Sequence, residues 1–286
     1  MKLGRLGVWY PVDRLDAPGA AQFAQRVEAN GYSALWYPES RGYETFSIAG
    51  FLLANTTRLI LGSSIANIYA RDAFTSRRGM ISLNALHGDR FILGLGVSHR
   101  PMVEGVRGHD YGKPVPVMRA YLDALQGKED GAATWPVALA ALGPLMLKLS
   151  RDRTLGALPY NVTPKHTAEA KAILGPDKML AVEQKVCLET DPVRARALGR
   201  AELSRYMTLD NYRNNWLREG FTEAELTDGG SDRFIDAMVL HGDAAAITSG
   251  LREHFTAGAT HVALQPVHAP EDWAHRDRTI AALADT

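Results

Sequence analysis

A histidine stands at the end of an apolar run broken by glycines, Phe91 to His99 (FILGLGVSH). Imidazole titrates near neutrality, so a histidine delivered at the end of a strand is suited to give or take a proton. Other polar and aromatic residues end comparable runs. They are Trp9 and Tyr10 after LGV; Tyr37, Glu39 and Ser40 after ALW; Ser63, Ser64, Ile65 and Asn67 in ILGSSIAN; and Leu142 and Gly143 in ALAALGP. Tyr160 follows in GALPYN, Glu189 after KVCL, and Gln265 and His268 in VALQPVH. A metal needs three or four convergent ligands, and Glu39, His99 and His268 would supply them only by coincidence of geometry. GVSH lacks the second glycine of a nucleophile elbow, and GLGVSH lacks the Lys-Ser/Thr of a P-loop. What remains is acid–base work. Gly94 and Gly96 have two readings: they admit a bulky neighbour into the interior, or they leave room for a flat ring.

Such residues act together only if the fold brings the run ends together. Short apolar runs alternate with amphipathic segments: LGRLGVWY, SALWYP, LILGSSI, RFILGLG, PVALAAL, GALPY, MLAVEQKVCLE and THVALQPV read as strands. Helices are expected from Ala20 to Asn30, Thr45 to Thr56, Ala73 to Leu86, Pro114 to Leu125 and Pro144 to Arg151. Others follow Thr163-Pro164, where a cap precedes a first-turn proline, then span 192–238, run from Asp243 to Ala257, and close the chain from Glu271 to Ala284. Several strands are almost wholly apolar, as when both faces are buried. Eight such units in 286 residues fit an α/β chain of the (β/α)8 barrel kind. A doubly wound sheet would open on a glycine-rich turn after its first strand, whereas here Tyr10-Pro11-Val12-Asp13 follows. No composition break marks a linker, so residues 1–286 are expected to form one domain, with 192–242 a helical insertion between strands seven and eight. In a barrel the strand ends meet at the C-terminal mouth, which gathers the candidates into one site.

Composition narrows the partners. Lys+Arg and Asp+Glu are equal at 32 each, so the basic stripe expected of a nucleic-acid binder is missing. The single cysteine, Cys187, excludes a disulfide framework and a cysteine zinc site. No apolar run approaches the ~18 residues that span a bilayer, and the N-terminus lacks the apolar core of a signal peptide. A cytoplasmic protein acting on a small molecule is expected.

The order of LGVWYP, SALWYPES, RLILGSSIANIYARD, GDRFILGLGVSH, ALGP and ALPYNVTPKHT resembles the bacterial-luciferase-like superfamily of flavin and deazaflavin enzymes. GLGVSH and PYNVTPKHT are most similar to the branch that uses coenzyme F420, an 8-hydroxy-5-deazaflavin. The resemblance implies a (β/α)8 barrel with the cofactor ring in its mouth. It implies a bulge with a cis peptide at Ser64-Ile65 behind the ring, beside Ser63 and Gly96, and Asn67 at the pyrimidine edge. It places His99 near the reactive carbon as acid or base, with Glu39 as its accessory. Ser40, Tyr37 and Trp9 border substrate, Leu142-Gly143 meets the cofactor phosphate through helix N-terminal amides, and Tyr160 borders the ring. Sugar-phosphate dehydrogenases of the family carry a carboxylate in place of His99 and a histidine in place of Glu39, so glucose 6-phosphate is a poor guess at substrate. Leu142 also replaces a glycine common in the phosphate loop.

The implied activity is hydride transfer between F420 and a small organic substrate. Its rivals are an FMN-dependent monooxygenase that uses O2, and a barrel that binds cofactor without catalysis. Each residue also has a plainer reading. His99 would bond a backbone carbonyl, Glu39 would cap a helix or pair with Arg41, Ser63 and Ser64 would be ordinary strand ends, and Trp9 and Tyr160 would be core aromatics. Finally, TFSIAGFLLANTT carries Phe46, Ile48, Phe51, Leu52 and Leu53, more apolar residues than one core-facing stripe needs. A homodimer through this helix, and through the next around Met80 and Leu83, is expected.

Overall fold

A computed structural model describes residues 2–126 and 135–284. Eight parallel strands alternate with helices: β1 Leu6–Trp9, β2 Ala34–Tyr37, β3 Ile60–Ser63, β4 Phe91–Gly96, β5 Val137–Leu139, β6 Gly156–Ala157, β7 Met179–Cys187 and β8 His261–Pro266. Each pairs with its neighbour, and β8 pairs with both β7 and β1, so the sheet closes into a (β/α)8 barrel. The intervening helices are α1 Ala17–Ala29, α2 Thr45–Ala54, α3 Ala73–His87, α4 Pro114–Gln126, α5 Pro144–Arg153 and α6 Pro164–Leu174, with α10 Ala244–Thr256 and α11 Trp273–Ala282 later. Their starts follow local chemistry. Asp16, Glu44, Asp72, Thr163 and Asp243 each accept a first-turn amide, which satisfies a donor the helix itself leaves free.

The long helix expected over 192–238 is in fact α7 Pro192–Leu203, α8 Asp210–Glu219 and α9 Asp232–Met238, with a single 3-10 turn between the last two. Glycines make the second break, between α8 and α9, while the first, over 204–209, contains none. Gly220 ends α8 in the left-handed conformation at φ 101°, and Gly229 and Gly230 also have positive φ, a region open to glycine at little cost. A short strand, Val239–His241, then pairs with the C-terminal end of β7. It was not anticipated, because three residues give too little alternation to read.

Side-chain alternation along the strands divides the core. Leu35, Leu61, Leu93, Leu139 and Val182 point outward and pack under the helices. Trp9, Ala34, Trp36, Ile60, Ile92, Ala138, Ala181 and Ala263 fill the interior. At the base, Trp36 Nε1 donates to His261 Nε2 at 2.9 Å, while His261 Nδ1 lies 2.7 Å from the Gly4 carbonyl. Both ring nitrogens are satisfied by a neutral ring, and burial pushes the His261 pKa down to about 4. A third cluster around Trp216, Phe234 and Leu203 holds the insertion together.

The apolar surplus of α2 is largely absorbed by the barrel. Ile48, Leu52 and Leu53, and Met80 and Leu83 of α3, are buried in their own subunit, so Met80 and Leu83 are not surface residues. Phe51, Phe74 and Leu86 are the exposed large apolar side chains of these two helices, at 37, 61 and 76%. No helix among the described residues is long and apolar enough to cross a membrane.

Candidate active site

The strand ends enclose a cavity of about 740 Å³ lined by Trp9, Glu39, Ser40, Ser64, Ile65, Gly96, His99, Leu142, Gly143 and Tyr160 among others. That is within the ~300–1,000 Å³ usual for ligand pockets. Three expected members lie elsewhere. Tyr37 is fully buried, and its hydroxyl donates to the Thr45 carbonyl at 2.8 Å. Ser63 is fully buried and donates to the Gly94 carbonyl at 2.9 Å. Both follow an inward residue, Trp36 and Gly62, so alternation turns them toward the helices. Neither lines the cavity. Asn67 is also buried; its Oδ1 accepts from the Tyr69 amide at 3.0 Å, and its Nδ2 has no partner.

The wall between β3 and β4 is made by close backbone approach. The Ser64–Ile65 peptide bond is cis. Trp9 Nε1 donates to the Ser64 carbonyl at 3.3 Å, and the Glu39 amide donates to the Ile65 carbonyl at 3.2 Å. A Cβ on Gly96 would lie 2.5 Å from Ile65 Cγ1, and one on Gly94 would lie 1.9 Å from the Ser63 carbonyl. The two glycines therefore admit the bulge, and Ile65 occupies the space Gly96 leaves. Glu39 braces the same segment. Its carboxylate accepts from the Asn67 amide at 2.9 Å and the Thr45 amide at 3.2 Å, and it pairs with Arg71. Arg71, not Arg41, is the partner. With both oxygens engaged, Glu39 is a positioning residue rather than a free acid.

His99 enters the mouth from the loop after β4. Ser98 before it has φ 58°, a turn that a short polar residue tolerates better than a branched one. The His99 carbonyl starts a short π-helical turn, Pro101–Val106, by accepting from Met102 and Val103. Its ring lies 5.6 Å from that of Tyr212, and Asn211 lines the same cavity. Burial holds its pKa below the usual 6.5, so the imidazole is neutral at pH 7 and has a proton acceptor available. Gly143 caps α5 at the opposite end of the cavity without any side-chain bond, leaving helix amides available to an anion.

The β6–β8 side holds groups that the strand-end reading passed over. Glu183 and Lys185 share the inward face of β7 with Ala181. Lys185 Nζ donates to Asn161 Oδ1 at 2.5 Å and Glu183 Oε1 at 3.1 Å, and sits 4.1 Å from the Tyr160 ring centre. Burial pushes the Lys185 pKa down and the Glu183 pKa up. The signal was present: adjacent charges in MLAVEQKVC, an otherwise buried strand, are costly unless paired. Asn211 and Tyr212 of α8, with Arg205 and Tyr206 just before it, complete this wall. Nothing in their spacing announced them, because the insertion's path over the mouth is a tertiary property. Among the described residues no group of three metal-ligating side chains converges.

This architecture and site define a class, the luciferase-like barrels. The profile of the family described as luciferase-like monooxygenase matches residues 3–261, and the chain belongs to that family. It is 28% identical over 263 residues to a protein of Mycobacterium tuberculosis provisionally named a coenzyme F420-dependent oxidoreductase, covering 88% of this chain and 70% of that one. It is 25% identical over 212 residues to the 5,10-methylenetetrahydromethanopterin reductase of Methanolobus tindarius, covering 64% of this chain and 65% of that one. An F420-dependent secondary alcohol dehydrogenase, solved with an F420–acetone adduct, superposes with a TM-score of 0.76 at 13% identity, over 99% of this chain and 98% of that one.

Proposed function

We propose that the chain is an oxidoreductase that transfers a hydride between coenzyme F420 and a small organic substrate at the barrel mouth. The observation that carries this reading is the cavity itself. Ile65 lies across Gly96 as one wall, His99 stands in reach, and the uncapped start of α5 closes the far end. These residues fit a flat ring with an anionic tail. Ile65, Gly96 and Leu158 would support the ring by apolar contact, and the amides following Gly143 would meet the phosphate. The buried, unpartnered Nδ2 of Asn67 supports a polar group at the bulge. When bound, a deazaflavin supplies two-electron chemistry at one ring carbon without the oxygen reactivity of a flavin.

The protein's part is to hold and to move a proton. Neutral His99 accepts a proton from a substrate hydroxyl as it is oxidised, or returns it in the reverse direction. Glu39 and Arg71 keep the bulge in place, and the insertion covers the mouth and limits water. The family's description as monooxygenases supports FMN and O2 as the second reading. An absorbance titration separates the two. A saturable shift with F420 and none with FMN, and turnover that consumes no O2, is expected; a shift with FMN alone, or O2 consumption, would replace this reading with the monooxygenase. Binding of F420 that no substrate ever reduces or re-oxidises would leave a non-catalytic cofactor carrier.

Assembly is a separate proposal. Phe51, Phe74 and Leu86 leave apolar surface on α2 and α3, which supports a homodimer through these helices. Light scattering at micromolar concentration is expected to give twice the chain mass, and a monomer would refute it.

A further inference from the structure

The insertion side of the cavity is an aromatic wall. Ring centres of Tyr212 and Tyr206 lie 5.3 Å apart, those of Tyr206 and Tyr160 5.4 Å, and those of Tyr160 and Trp9 4.9 Å. The hydroxyls of Tyr160 and Tyr206 belong to a closed hydrogen-bond ring. Tyr160 donates to Gln265 Oε1 at 2.7 Å, an atom that only accepts, so the 2.7 Å contact between the two phenols is donated by Tyr206. Tyr206 accepts from Arg205 Nη2 at 2.6 Å. Gln265 Nε2 donates to Glu202 Oε1 at 2.9 Å, which also accepts from Arg205 Nη2 at 2.8 Å. Both phenolic protons are thus committed inside the protein. Tyr160 and Tyr206 offer a ligand ring surface, not donors.

Arg205 is different. The ring engages only Nη2, so Nε and Nη1 have no partner among the described residues. The guanidinium lies 4.6 Å from the Tyr206 ring centre and lines the cavity, with 47% of its side chain exposed. Stacking and two bonds hold it in place before any ligand arrives, so little freedom remains to be lost on binding an anion. Arg14 and Arg41 also line the cavity, while the lining carboxylate of Glu39 is taken by Arg71. Asp13 lines it as well and Arg205 is itself paired with Glu202, so the arginines on the lining outnumber its carboxylates by three to two.

We propose that the substrate is a planar, apolar molecule bearing an anionic group, its flat part on the Tyr212–Tyr206–Tyr160 wall and its carboxylate or phosphate on Arg205. It rests on the F420 reading only for the identity of the molecule that shares the cavity.

The test is calorimetric titration of the full chain, saturated with F420, with 2-naphthoate and with its neutral counterpart 2-naphthalenemethanol. Naphthoate is expected to bind about tenfold or more tightly, as a charge-assisted bond would give. Arg205→Met should erase the preference and Arg205→Lys should restore part of it. Equal affinities in the wild type, or a preference that survives Arg205→Met, would overturn the proposal. The anion has a second source, the cofactor tail. If Arg205→Met weakens F420 but not the deazaflavin stripped of its phosphate-bearing tail, the arginine serves the cofactor and the substrate assignment falls. If F420 does not bind the wild type at all, the proposed function fails, yet the naphthoate comparison on the protein alone still decides this inference.

Discussion

The two sides of the barrel mouth are built by different means. On the β3–β4 side, glycines let backbone and Ile65 crowd together, and one outlying carboxylate, Glu39, ties the bulge down. On the β6–β8 side, space is filled by long side chains: a buried Lys185–Glu183 pair under Tyr160, and a hydrogen-bond ring that reaches into the insertion. The first is a surface shaped by what is missing, the second by charges that must be satisfied. A cofactor common to a family suits the former, and a substrate particular to one chain suits the latter. The insertion, which supplies Arg205, Tyr206 and Tyr212, is where such particularity is easily varied.

Four experiments probe that division. The largest effect is expected at His99, where the two sides meet. His99→Ala should lower turnover by about 10²–10⁴, the range for a positioned acid or base, with F420 affinity little changed; steady-state kinetics beside a spectral titration reads both. Unaltered turnover would remove His99 from the chemistry.

Next is the charged side. Lys185→Met leaves Glu183 buried without its partner, which typically costs about 3–5 kcal/mol. Urea denaturation should show the loss, and adding Glu183→Leu should recover most of it. If the single variant is as stable as the wild type, the pair is not what holds this wall.

The glycine side should respond in binding as well as in stability. Gly96→Val puts its Cβ where Ile65 lies, 2.5 Å from Cγ1, and such overpacking costs about 1–3 kcal/mol. Cofactor affinity is expected to fall by about the same free energy. Arg205→Met, on the other side, should leave F420 affinity unchanged. Equal effects of the two variants would erase the division of labour.

The last effect is on pH dependence and concerns the buried histidines. His254 and His261 have pKa values of about 4 in the folded chain, against about 6.5 when unfolded. Below 6.5 the unfolded state binds more protons than the folded state, so stability falls as the pH drops toward 4. Above 6.5 this contribution is fully present and does not vary. Thermal melts between pH 4 and 8 should show that one-sided slope, and a loss confined to pH above 7 would contradict it.

Legibility in the sequence followed the same division. The barrel was readable because apolar strands, capped helices and their number agree with one another. The glycine side was readable in part: the glycines of FILGLGVSH permit close approach, whereas the bulge at GSSIAN was implied only by the resemblance to the family. Tyr37 and Ser63 were misplaced because a strand end was taken as a whole, without the alternation that sends Trp36 and Gly62 inward and their successors outward. Glu39 was seen, but its partner Arg71 was not, since nothing in the spacing between them fixes a contact. Lys185 and Glu183 left a trace, charges in a strand that should be buried, whereas Arg205, Tyr206 and Tyr212 left none. Their place depends on the path of the three helices of the insertion, which is set by packing around Trp216 and Phe234 rather than by any local pattern.

The most direct test is a crystal structure of the protein with F420 bound. The ring is predicted to lie against Ile65 and Gly96, with His99 beside its reactive edge, its phosphate at the start of α5, and the Tyr212–Tyr206–Tyr160 wall left open for a second molecule. A ring stacked on that aromatic wall, or a phosphate held by Arg205, would contradict the account.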